Sequence, residues 1–94
     1  MNSFLIAEKY VPESELRTVA EAILRAQDIR EESWNGMNKY CKTDAQSAYQ
    51  AVGEKGLTEF WGEIISSWVS LQWNESQNWA DEVLSQHKDG VNVP

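Results

Sequence analysis

Cysteine and histidine are nearly absent from this chain of 94 residues, which has one of each. The single cysteine, Cys41, excludes an internal disulfide. The two residues together are too few for a structural zinc site, which takes four such ligands. Cys41 and His87 are also the one candidate pair for nucleophilic catalysis, and no motif surrounds either of them. The sequence therefore predicts no metal, no cofactor and no catalytic residue.

Long apolar runs are missing as well. No stretch approaches the ~18 consecutive apolar residues of a membrane-spanning helix. The apolar run Phe4–Ala7 near the start has no basic leader before it and is shorter than the core of a signal peptide. A lone thiol fits a reducing compartment. We therefore expect a cytoplasmic protein with no membrane contact.

Positive charge is scarce, with 8 basic residues against 15 acidic ones and a formal net charge of −7. Phosphate backbones and anionic lipid surfaces are bound through clusters of lysine and arginine. The segment Gly53–Gly56 contains a lysine between glycines but lacks the ending of a phosphate-binding loop, and no strand precedes it. We therefore expect no direct binding to nucleic acid, and we expect basic partners or simple solubility instead.

The chain has the composition and length of one small folded domain, since 41% of its residues are hydrophobic. Apolar residues recur at helical spacing, and the clearest predicted buried stripe consists of Leu16, Val19, Ala20, Ile23 and Leu24, with Gln27 on the same face. The sequence predicts an all-α fold, a small four-helix bundle with an N-terminal arm over residues 1–12. The predicted helices cover residues 14–32, 44–52, 59–73 and 75–88.

Local signals define the expected helix ends. Ser14, Thr43, Thr58 and Asn74 stand where N-caps are favoured, and Gly53 stands where a helix stop is favoured. If no break occurs near Asn74, the third and fourth helices fuse into one rod of about 45 Å. A rod of that length is long for this domain, so we expect a break. Gly62, inside the third helix, indicates close helix packing.

The distribution of charge is the first feature that suggests a function. Between Gly56 and His87 there is no lysine or arginine, and the net charge is −5, whereas residues 33–56 carry +1. We predict that the acidic residues of this stretch line a continuous face that binds a partner, and we name them the anionic set: Glu59, Glu63, Glu75, Asp81 and Glu82. The alternative is an ordinary solvated surface.

Two other interpretations of Glu59 and Glu63 are disfavoured. The helices around residues 53–57 have the lengths of a helix-turn-helix, but its recognition helix would direct both carboxylates at a polyanion. As a pair of catalytic acids they would need a cleft between them, and none is expected in a domain of this size.

Tryptophan is the second feature, because five of them are many for a small core. Trp61 and Trp68 are seven positions apart and share one helix face. Tryptophan is a favoured anchor at protein interfaces, so we predict that these two contact a partner. For each tryptophan alone, the alternative is packing in the core.

These features predict a non-catalytic acidic binding protein. In its most concrete form it is an inhibitor that occupies the basic, nucleic-acid-binding surface of a partner protein, with carboxylates imitating phosphates. Proteins of mobile elements such as phages that block host defence nucleases work in this way. The alternative is a helical adaptor or a self-associating bundle, such as a homodimer, that uses a tryptophan-rich apolar interface.

Overall fold

The computed structural model describes residues 11–35 and 44–86, and of residues 33–35 and 44 only the backbone. In these two ranges the chain forms a short 3₁₀ turn at Glu13–Glu15 and four α-helices, with no strand. The helices are α1 (Leu16–Asn35), α2 (Asp44–Glu54), α3 (Glu59–Leu71) and α4 (Trp73–Gln86). The predicted all-α four-helix fold is confirmed. The predicted arm falls outside the described residues, except for Val11 and Pro12.

None of these helices combines the length and the apolar character that crossing a bilayer requires.

Helix α1 is the centre of the fold and contacts each of the other three helices. Val19, Ala20 and Ile23 in its predicted stripe are fully buried. Helix α2 packs between α1 and α3, whereas α4 packs mainly on α1 and only lightly on α3. Fully buried side chains on α2, α3 and α4 are small or β-branched, which lets the helix axes approach closely, and they include Ala48, Ala51, Ile65 and Ala80.

The observed helix starts differ from the predicted caps. Ser14 lies inside the 3₁₀ turn that follows Pro12, so it does not cap α1. Thr58 does precede α3 with an extended backbone, but its side chain makes no capping hydrogen bond. Asn74 lies in the first turn of α4, which already begins at Trp73. Thr43 lies outside the described residues.

Helix α2 ends at Glu54, one residue beyond the predicted stop Gly53, and the glycine that terminates it is Gly56. Gly56 has a φ of 77°, a left-handed conformation that favours glycine. The amide of Leu57 donates to the carbonyl of Val52 at 2.8 Å, and the amide of Gly56 donates to the carbonyl of Gly53 at 3.1 Å. These two bonds form a Schellman motif. Gly53 is simply accommodated in the last turn, because a helical glycine costs only about 1 kcal/mol.

The predicted break between the third and fourth helices is confirmed, but it lies at Gln72 rather than near Asn74. Gln72 has φ −139° and ψ 55°, which is not helical. Side chains from α1 and α4 fix the chain just beyond it. The Gln27 amide donates to the carbonyl of Trp73 at 3.1 Å and to Ser76 Oγ at 3.3 Å, and Ser76 Oγ donates to the same carbonyl at 3.0 Å. Gln27 and Ser76 are buried, so tertiary contacts hold the start of α4 on α1.

Candidate functional site

All five residues of the anionic set are exposed. Glu59 and Glu63 lie one turn apart at the start of α3. The other three lie on α4, where Glu75 and Glu82 are seven positions apart and so share a face. None of the five belongs to an ion pair within the described ranges. Their carboxylates are therefore presented to solvent, and Glu82 Oε1 also accepts a hydrogen bond from the Gln86 amide at 3.4 Å.

Three acidic residues of α1 and α2 are placed differently, because every basic residue of the described ranges lies before Gly56. Arg25 Nε is 3.1 Å from the Glu54 carboxylate, and its Nη1 is 3.8 Å from that of Glu32. Glu21 is 3.4 Å from Arg17 and 3.9 Å from Lys55. The hydrogen bond from Arg25 to Glu54 raises the pKa of the arginine. The pairs Arg25–Glu54 and Glu21–Lys55 join α1 to the end of α2, the other two lie within α1, and all four offset charge.

The anionic set spans two helices that pack on different neighbours. Helix α3 packs chiefly on α2, and α4 packs chiefly on α1. Glu59 and Glu63 therefore lie one turn apart on α3, and Glu75 and Glu82 share a face of α4. One continuous face uniting both pairs stays a prediction.

The two tryptophans predicted to contact a partner lie at different depths. Their rings lie 6.4 Å apart on the same side of α3. Trp68 is only 6% exposed and belongs to the core, so it has little surface to offer a partner. Trp61 is half-buried, and its ring meets that of Phe60 edge-on at 6.1 Å. Trp73 and Trp79 pack partly buried against the core, and the side chain of Trp34 lies outside the description.

The structure shows an exposed apolar surface that our reading of the sequence missed. Phe60 is 66% exposed and Leu71 is 78% exposed, both on α3. They are 11 positions apart, which brings them to within about 20° of one another around the helix axis. That spacing was visible in the sequence, but α3 has apolar residues on almost every side, and the pattern alone does not show which side faces out.

A groove lies between the end of α2 and the start of α3, and we call it the α2–α3 groove. Its volume is about 470 Å³, and its lining has one acidic and several apolar or small residues: Tyr49, Val52, Gly53, Leu57 and Glu59. It was not predicted, because it depends on the angle at which two helices meet.

Gly62 on α3 determines one wall of this groove. A Cβ atom at Gly62 would collide with the ring of Tyr49 on α2, so the glycine leaves space for that ring. The predicted close helix packing at Gly62 is therefore confirmed. Tyr49 remains 41% exposed, so its ring rests on α3 with part of its surface open to the solvent.

No group of three or more potential metal ligands occurs within residues 11–35 and 44–86. Cys41 and His87 lie outside those ranges, so the structure does not test their proximity.

Comparison of the chain with known protein families, with curated proteins and with solved structures finds no match.

Proposed function

We propose that this protein is a non-catalytic acidic binding protein that occupies the basic, nucleic-acid-binding surface of a partner protein. The observation that carries the proposal is the exposure of five carboxylates, none of them in an ion pair within the described ranges, on a part of the chain without lysine or arginine.

Unpaired carboxylates suit this role better than paired ones. The charge of an acid such as Glu54 is already offset by Arg25, so Glu54 attracts a second cation less strongly. Glu63 has no ion pair within the described ranges, and Glu82 accepts only a hydrogen bond from the Gln86 amide at 3.4 Å. A part of the surface that carries only negative charge also raises the rate at which a basic partner is encountered.

The spacing of the carboxylates along their helices supports imitation of a phosphate backbone. Glu59 and Glu63 are separated by a rise of about 6 Å along α3, and Glu75 and Glu82 by a rise of about 10 Å along α4. Two and three base pairs of a DNA duplex rise about 7 Å and 10 Å. The rise between the two carboxylates of each pair is therefore close to the rise between phosphates two or three positions apart on one strand.

Affinity capture from cell lysate tests the proposal, with washes at low and at high salt. We expect a nucleic-acid-binding protein that elutes as salt rises and that duplex DNA or RNA displaces. Reversal of Glu59, Glu63 and Asp81 to lysine should abolish capture and leave the helical circular dichroism unchanged. The matched control reverses three other exposed acids to lysine, Glu13, Asp28 and Glu31, and should capture the partner far better than the first variant. Equal loss in both variants, or capture that resists salt, would contradict the proposal.

The exposed Phe60 and Leu71 favour a second candidate, self-association through the outer side of α3. Sedimentation equilibrium distinguishes it, because an apolar dimer persists at high salt. Replacing both residues by serine should then produce monomers without unfolding. A wild-type chain that is monomeric at high protein concentration would rule this candidate out.

A further inference from the structure

We infer that the α2–α3 groove binds an arginine side chain of the basic partner. The inference rests on the proposed function and deepens it, since it names the group that the partner inserts and the place that receives it.

The lining of the groove matches the parts of an arginine. Val52 and Leu57 are apolar and suit the three methylene groups of its stem. Glu59 supplies a carboxylate in the same lining, and this carboxylate has no ion pair within the described ranges. A carboxylate can accept two parallel hydrogen bonds from one guanidinium.

Tyr49 adds a reason to favour arginine over lysine. Its ring is 41% exposed, and it is supported from α3 because Gly62 leaves room for it. A planar guanidinium stacks on an aromatic face, whereas an ammonium is a compact and strongly hydrated charge. A fixed ring beside a carboxylate therefore selects the planar cation.

The backbone at the groove does not by itself select a charge. The end of α2 at Val52 and Gly53 carries partial negative charge, and the start of α3 at Glu59 carries partial positive charge, so the Glu59 carboxylate supplies the attraction for a cation. The nearest base in the sequence, Lys55, is held 3.9 Å from Glu21 on α1 and does not line the groove. The groove thus lacks a cation of its own within the described residues.

Titration of the full ¹⁵N-labelled chain with short peptides tests the inference by NMR. One peptide carries two arginines separated by glycine, and the second carries two lysines in the same frame. We expect the arginine peptide to produce saturable shifts at the amides of Tyr49, Gly53 and Leu57, and the lysine peptide to bind there several times more weakly.

Two groove variants and one control variant show which side chains contribute to binding the arginine peptide. Glu59→Gln should weaken the arginine peptide about fivefold, and Tyr49→Leu should weaken it about threefold while keeping the groove apolar. Glu31→Gln, which removes the same charge from an exposed position on α1, should change the affinity by much less. Thermal unfolding of each variant checks that the fold is retained.

Two outcomes would overturn the inference. In the first, both peptides shift residues around all the acids alike, and Glu59→Gln behaves as Glu31→Gln does. That result leaves the proposed function standing as diffuse attraction without a dedicated groove. In the second, neither peptide shifts the groove residues at low salt. Failure of the proposed function appears separately, as salt-resistant capture of the partner in the lysate experiment.

Discussion

The first two helices and the last two carry their acidic residues in different surroundings. In α1 and α2, Glu21, Glu32 and Glu54 lie within ion-pair distance of arginine or lysine. In α3 and α4 there is no basic residue, and the anionic set is exposed without ion pairs in the described ranges. Bases therefore offset three acids of the first half, although Asp28 and Glu31 of α1 are exposed and in no ion pair of the described ranges, whereas no base offsets any acid of the anionic set.

Burial shows a related difference within α3 itself. One side of this helix places Ile65, Trp68 and Val69 in the core, and another exposes Phe60 and Leu71. Large apolar side chains on both sides mean that composition cannot separate a stabilising residue from a binding one. Substitutions can separate them, because they act on the free energy of unfolding in one case and on association in the other.

The largest effect is expected from Trp68→Ala. Removing a buried indole loses its transfer free energy and leaves a cavity, so the free energy of unfolding should fall by about 3–5 kcal/mol. Phe60→Ala is the control, because the Phe60 side chain is mostly exposed and its loss should cost far less. Urea unfolding followed by circular dichroism measures both. Similar losses for the two variants would show that Phe60 is as deeply packed as Trp68.

A smaller effect is expected from the polar contact that joins the two halves. Ser76→Ala removes the acceptor for Gln27 and a donor to the Trp73 carbonyl, so stability should fall by about 1–2 kcal/mol. Ser47 is its matched control, because it is equally buried but its hydroxyl has no hydrogen-bond partner among the described residues. Ser47→Ala should be neutral or slightly stabilising, because it removes an unpaired polar group. Equal destabilisation in both variants, measured by urea unfolding, would show that the contact with Gln27 adds nothing.

Much of this fold follows from the sequence, and the failures share a cause. The 3.6-residue period identified the four helices and the buried residues Val19, Ala20, Ile23 and Gln27. The helix ends were less well predicted, because tertiary contacts overrode local preference. Asn74 is a favourable N-cap residue, but α4 begins one residue earlier, at Trp73, whose carbonyl accepts hydrogen bonds from Gln27 and Ser76. Glycine is a suitable residue type for ending a helix, but of Gly53 and Gly56 it is Gly56 that adopts the positive φ.

The candidate site was likewise predicted only in part from the sequence. The exposure of all five acids agrees with their predicted place on a surface, since an unpaired carboxylate is costly to bury. Helical period put Trp61 and Trp68 on one face, but the position of the neighbouring helices decides that one is half-buried and the other buried. The α2–α3 groove was beyond prediction for the same reason. One of its lining side chains, Tyr49 of α2, packs against Gly62 of α3.

The smallest effect is expected from removing single charges, and the change in stability should have opposite signs in the two halves of the molecule. Glu54→Gln removes the partner of Arg25 and should lower the melting temperature at low salt. Glu63→Gln removes a like charge one turn from Glu59, so it should raise the free energy of unfolding by about 0.2–0.5 kcal/mol. Both differences should shrink at high salt, because exposed charges are then screened. Differential scanning calorimetry at the two salt concentrations measures them. If Glu63→Gln destabilised the protein as Glu54→Gln does, Glu63 would have a stabilising partner, and the carboxylates of α3 would no longer be free for a basic surface.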